Sequence, residues 1–153
     1  MRIEVLKGLE PWEETLIDLY LRCYKGMEKY AYTRPKDVRN YLRWLFKRAP
    51  SSFFLALEGD NPLGFLVADD HWEEGGERVG EIHEVVVAPE NRTRGVGKAL
   101  VQRALEHFRE KGLKKAGLWV GKENKRARDF YTHLGFQEKG SQGKWIRMEC
   151  SLE

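Results

Sequence analysis

The run Val85-Val86-Val87-Ala88-Pro89-Glu90-Asn91-Arg92-Thr93-Arg94-Gly95-Val96-Gly97-Lys98 constrains this chain more than any other. Three consecutive valines read as a strand in a buried, central position. A loop follows from Pro89 to Arg94. From Gly95 onward Val96, Leu100, Ala104, Leu105 and Phe108 fall in helical register, and Gly112 is a good helix stop. A buried strand that feeds a helix through a short loop is the first half of a strand-helix-strand crossover, which favours parallel pairing. A helix start also leaves backbone N–H groups without partners and carries partial positive charge, and glycines there let a ligand approach the backbone. That combination suits a phosphate or pyrophosphate. It is not a Walker loop, because Ala99 follows Lys98 and the glycine spacing is wrong. It is not the dinucleotide fingerprint either, since only Gly95-Val96-Gly97 of G-x-G-x-x-G is present.

The other elements follow from periodicity and turn residues. Arg2–Leu6 alternates as a first strand. Pro11 opens a helical segment with Trp12, Leu16, Leu19, Cys23 and Met27 at helical spacing. Pro35 opens a second helix with Val38, Tyr41, Leu42, Leu45 and Phe46 on one side, and Pro50 ends it. Ser52–Leu57 and Leu63–Ala68 form a hairpin about the turn Gly59-Asp60-Asn61-Pro62. A looser turn spans Trp72–Gly76, and Glu81–Ala88 is the next strand. Beyond the long helix, Ala116–Val120 is a strand and Asn124 starts a helix with Ala127, Phe130, Tyr131 and Leu134, closing at Gly135. Phe136–Gly140 and Lys144–Leu152 make a final pair of strands. The order predicts one α/β domain over residues 1–153 with a mixed sheet.

Composition narrows the class. A chain of 153 residues with 41% hydrophobic and 12% aromatic residues builds its core without a disulfide or metal staple. Cys23 and Cys150 stand outside any Cys-x-x-Cys or Cys/His cluster, so they read as buried thiols and no metal site is expected. No apolar run approaches the ~18 residues of a membrane span. The N-terminal stretch turns acidic where a secretory leader is apolar, so a cytoplasmic location is expected. A charged fraction of 33% with few Asn and Gln points to a thermophilic source. The net charge of +3 hides an asymmetry: Arg92–Arg128 carries twelve Lys and Arg against three Glu, whereas Asp69–Glu90 carries eight acids against Arg78. The first stretch suits anions and the second cations.

Two motifs then stand in order. Arg92-x-x-Gly95-x-Gly97 resembles the acyl-CoA signature of the GNAT acyltransferase superfamily, and Asn124-x-x-Ala127-x-x-Phe130-Tyr131-x-x-Leu134-Gly135-Phe136 is similar to its second motif. The resemblance implies a mostly antiparallel mixed sheet with splayed central parallel strands, flanked by about four helices. It implies acetyl-CoA as co-substrate, with the pantetheine arm in the splay along Val85, Val86 and Val87. The backbone amides of Thr93, Arg94, Gly95, Val96, Gly97 and Lys98 would hold the pyrophosphate in the cradle that Arg92 opens. Asn124 would help hold the pantetheine arm, with Lys98, Lys125 and Arg128 as candidates for the nucleotide phosphates.

The implied reaction is acetyl transfer from the thioester to a primary amine, of a small molecule or a protein. Tyr131 matches the family tyrosine near the thioester sulfur and is the candidate general acid. Candidates for the base are Glu81, His83 and Glu84. Alternation puts Glu81 and His83 on one face of their strand and Glu84 on the other, barring a bulge. By spacing, Glu81 falls where the histone-acetylating branch carries its base, and Glu84 where many small-molecule members have an acid facing the acceptor. Trp119 stands where a branch that acetylates ribosomal-protein N-termini has a glutamate, which argues against that substrate. The acceptor side offers Tyr24, Tyr30, Tyr32, Trp44, Trp72 and Trp145, and residues 27 to 32 at its mouth. Those rings beside the acidic stretch suit a cationic amine. The alternative is a non-catalytic acyl-CoA-binding module, which needs neither Tyr131 nor an acid. No nucleic-acid or membrane partner is expected; nucleic-acid binding through the basic stretch would fall steeply with salt. The resemblance also allows a homodimer, since in some relatives the final strands pair across one.

Overall fold

Strand β2 (Phe53–Glu58) explains the layering of the molecule. Phe53, Leu55 and Leu57 point to one face, Phe54 and Ala56 to the other, and all five are fully buried. Both faces of the sheet must therefore be covered by helices. The structure, a computed structural model, describes all 153 residues. Helices α1 (Glu13–Cys23) and α2 (Pro35–Arg48) cover one face, through Leu16, Leu19, Tyr20, Val38, Leu42 and Leu45. Helices α3 (Val96–Glu110) and α4 (Lys125–His133) cover the other.

The remaining strands are β1 (Arg2–Val5), β3 (Asn61–Glu74), β4 (Glu77–Val87), β5 (Lys115–Gly121), β6 (Gln137–Gln142) and β7 (Trp145–Ser151). They form one seven-stranded sheet in the order β1-β2-β3-β4-β5-β7-β6. Only β4 and β5 pair in parallel. The second crossover, β5-α4-β6, does not give a parallel pair, because β7 inserts antiparallel between β5 and β6.

Three further expectations are corrected. Pro11 lies in a 3-10 turn (Glu10–Trp12), and α1 ends at Cys23, so Met27 falls outside the helix. Trp72 belongs to β3, whose turn into β4 is confined to Gly75 and Gly76, both at positive φ. Most important for the site, alternation on β4 is broken. Val67 faces Glu84 while Ala68 faces Ile82, so His83 is the extra residue of a β-bulge. The bulge turns Glu84 to the same face as Glu81 and His83, the face that α1 and α2 cover.

Candidate active site

The site begins where the parallel pair ends. β4 and β5 share only the pairings Gly80↔Ala116 and Glu81↔Gly117. Beyond them Ile82–Val87 and Leu118–Gly121 diverge, and β4 presents a backbone edge without a strand neighbour. A cavity of about 1020 Å³ occupies the divergence. Its walls reach from the start of α3 to the tyrosines of α1 and α2.

At one end lies the cradle. Gly95 caps α3 in the left-handed region, at φ 78°, a conformation that favours glycine. The first backbone amide of α3 with a backbone partner is that of Ala99, to the Gly95 carbonyl; those of Val96, Gly97 and Lys98 have none. A Cβ at Gly97 would stand 3.2 Å from the Phe130 ring, so glycine keeps this approach open between α3 and α4. Val85, Val87, Arg92, Gly95, Gly97 and Lys98 line the cavity, as do Asn124 and Tyr131. The side chains of Val86, Thr93, Arg94 and Val96 do not: Val86 and Val96 are buried in the two cores, Thr93 is exposed, and Arg94 bonds Glu58 and Asn91. The Asn124 carboxamide caps α4 by accepting from the Ala127 amide at 3.3 Å. Lys125 is paired with Asp129 and Arg128 with Glu138, whereas exposed Lys98 has no ion pair and is the cation beside the free amides. The free amides, the open strand edge and this lysine fit a pantetheine arm ending in a pyrophosphate.

In the middle the acids separate by partner. Asp69 bonds Arg48 and His83, which hold its carboxyl down at about 2 despite burial. Asp70 bonds His107. Glu81 is ion-paired to Arg147 at 2.7 Å, with both residues buried. Burial pushes the Glu81 carboxyl up although the guanidinium opposes it. Of the two carboxylates of the Asp69–Glu90 stretch that line the cavity, Glu81 and Glu84, only Glu84 has no ion pair. It accepts hydrogen bonds from the Tyr24 hydroxyl at 2.7 Å and the Tyr41 hydroxyl at 3.1 Å. Burial outweighs these bonds and pushes its carboxyl up to about 7. Tyr131 lines the same cavity with a hydroxyl free of protein partners, and burial, together with the nearby Glu84 charge, raises its proton affinity. His83 is spent on Asp69 and packs edge-on against Trp44 and Trp72.

Over the cavity runs the segment joining α1 to α2. Tyr30 is buried against Gly121, and its hydroxyl accepts from the Glu123 amide at 2.8 Å. Its ring meets Trp145 at 5.4 Å, and Lys29 pairs with Glu123. Tyr24, Tyr30, Tyr32 and Trp145 line the cavity; Trp44 and Trp72 do not. Sequence reasoning missed Tyr41 and Arg147. Tyr41 shares helical spacing with the core residues of α2, which hides it. Arg147 left one signal, a charge among apolar residues in Trp145-Ile146-Arg147-Met148. Its guanidinium passes over Gly117, which has no Cβ to block it, and sits 5.4 Å from the Trp119 ring.

The chain matches the Acetyltransferase (GNAT) family over residues 13–136. It is 41% identical over 137 residues to an uncharacterised N-acetyltransferase of Methanocaldococcus jannaschii, an alignment covering 88% of this chain and 61% of that protein. The chain therefore spans less than two thirds of that relative's length. The crystal structure of PH1933 from Pyrococcus horikoshii is similar at 37% identity, with a TM-score of 0.90 and coverage of 98% and 97% of the two chains. The PaiA N-acetyltransferase of Thermoplasma acidophilum, crystallised with coenzyme A, shares the fold at 23% identity, a TM-score of 0.81 and 99% coverage of each chain. By its two motifs, its splayed sheet and these likenesses, the chain belongs to the GNAT acetyltransferase family.

Proposed function

We propose that this protein transfers an acetyl group from acetyl-CoA to a primary amine, with Glu84 as base and Tyr131 as acid. The observation that carries the reading is the placement of these two side chains in one cavity, next to a splayed strand edge and a row of free amides. The coenzyme A held by the Thermoplasma PaiA protein, on the same fold, supports the donor.

Acetyl-CoA supplies an acetyl group activated as a thioester. The amides of Val96, Gly97 and Lys98 bind the pyrophosphate, and a backbone N–H of the Val85–Val87 strand donates to the carbonyl oxygen as it gains charge. An ammonium has no lone pair, so Glu84 removes a proton from the acceptor nitrogen. As the C–N bond forms and the C–S bond breaks, Tyr131 delivers its proton to the sulfur, and the second proton shed by the nitrogen restores the Tyr131 hydroxyl through solvent. A tyrosine kept protonated by burial is suited to that step. The acceptor end of the cavity offers tyrosine rings and the Glu84 carboxylate, a lining that favours a cationic amine.

Calorimetry tests the donor. Acetyl-CoA is expected to bind with Kd on the order of micromolar, ahead of ATP and of CoA lacking its 3′-phosphate. Gly97→Leu, which fills the space before Phe130, should weaken binding by about 10- to 100-fold, on the order of 1.4–2.8 kcal/mol. Equal binding of all three ligands, or of both proteins, would remove the cradle assignment. Tyr131→Phe tests the acid. Its hydroxyl makes no hydrogen bond in the fold, so the variant should fold and bind acetyl-CoA normally while thiol release falls about 100-fold. Undiminished turnover would take Tyr131 out of the mechanism.

A further inference from the structure

Glu84 is ionisable in a cavity that gives it no cation, and two hydroxyls are its only hydrogen-bond partners. Tyr24 reaches its Oε2 from the C-terminal cap of α1, and Tyr41 reaches its Oε1 from α2. Neither ring is free to swing. Tyr24 packs on Tyr20 at 4.7 Å between ring centres, and Tyr41 is held between Tyr20 at 6.0 Å and Tyr32 at 5.1 Å. The Tyr20 hydroxyl accepts from the Tyr32 amide, so the four rings join both helices to the segment over the cavity. We propose that Tyr24 and Tyr41 are positioning residues for the base: they clamp one carboxylate oxygen each and leave the remaining lone pairs of Glu84 directed at the acceptor nitrogen. The proposal rests on the reading of Glu84 as base.

The other groups around Glu84 do not replace the clamp. Tyr20 on α1 and Tyr131 on α4 are neutral, and each is raised by the Glu84 charge. Opposite on β3 stands Val67, which has no charge. On β4 itself, His83 bonds Asp69 and Glu81 pairs with Arg147. Beside α1, Cys23 and Arg92 engage each other, the guanidinium donating to the Cys23 carbonyl at 2.7 Å. An anion with two neutral donors loses much of its stabilisation when one is removed, because hydrogen bonds to charged groups are roughly twice as strong as neutral ones. The clamp therefore keeps the base ionised near neutrality.

The test is a carboxyl-carbon NMR titration of the full-length protein labelled at glutamate, with Glu84→Gln identifying the resonance. Tyr24→Phe and Tyr41→Phe each keep the ring, so each is expected to fold and to bind acetyl-CoA as the parent does. Each should move the Glu84 midpoint up by about one pH unit, and the double variant further. A purely structural role for the tyrosines would lower stability and leave the midpoint in place. Thiol release from acetyl-CoA with a panel of primary amines, run on Glu84→Gln, separates the two ideas. If the midpoint stays put in both Phe variants while Glu84→Gln lacks turnover, the clamp is overturned and the base stands. If Glu84→Gln turns over like the parent, the base falls and the positioning role falls with it.

Discussion

Glu84→Gln is expected to lose activity and gain stability at once. Removing a positioned general base costs about 10²- to 10⁴-fold in turnover, and glutamine is nearly the same size and cannot accept the proton. The stability change follows from the same carboxyl. Its proton affinity in the fold corresponds to about 7, against an ordinary value of 4.5. A group raised in the folded state contributes its full stability below the unfolded value and loses it as pH rises through the folded one. Above pH 8 the native protein therefore carries a buried anion at a cost on the order of 3 kcal/mol, and glutamine avoids it. Thermal unfolding should place the variant about 6–12 °C above the parent at pH 8.5 and close to it at pH 4. Activity of the parent should rise through pH 7 as Glu84 ionises. A variant that loses both activity and stability at pH 8.5 would mean that Glu84 is a structural anion, and the base would have to be sought elsewhere.

The order of elements and the glycines that open α3 were legible because both are local. Gly95 and Gly97 sit at a helix start that apolar spacing alone locates, and the valines of β4 announce a central strand. What could not be read was the register between distant segments. Periodicity tells which residues share a face of one strand, and it fails where a neighbouring strand imposes a bulge; His83 is that residue, and it changes the face of Glu84. Periodicity is silent on which strand lies beside which, so the insertion of β7 between β5 and β6 was hidden. Charge counting had a related limit. The acidic stretch from Asp69 to Glu90 looks like one negative surface, yet Arg22, Arg48, His107, Lys115 and Arg147 draw off most of it. Only against that cancellation by residues of other elements does Glu84 stand out.

Glu81→Ala separates the two glutamates of β4 by the opposite signature. Glu81 lies at the last paired position before β4 and β5 diverge, and its ion pair with Arg147 reaches across β5 to β7. Gly117 leaves the guanidinium room to pass, since a Cβ there would come within 2.7 Å of its central carbon. Truncating Glu81 leaves Arg147 buried, with Glu149 at 3.1 Å as its remaining carboxylate. Breaking a buried pair from one side costs roughly 3–5 kcal/mol, mostly because the other charge is stranded. Glu149 softens this, so a loss near 3 kcal/mol and a fall in Tm of about 6–12 °C are expected. Replacing both partners, as in Glu81→Leu with Arg147→Met, should recover most of the loss, because neither position then carries a charge and Glu149 keeps Lys115 at 3.5 Å as its cation. Below its melting transition, Glu81→Ala should keep acetyl-CoA binding and thiol release within a few-fold of the parent. A loss of about 100-fold or more in the folded single variant would return the proton transfer to Glu81 and leave Glu84 as an acceptor-binding carboxylate.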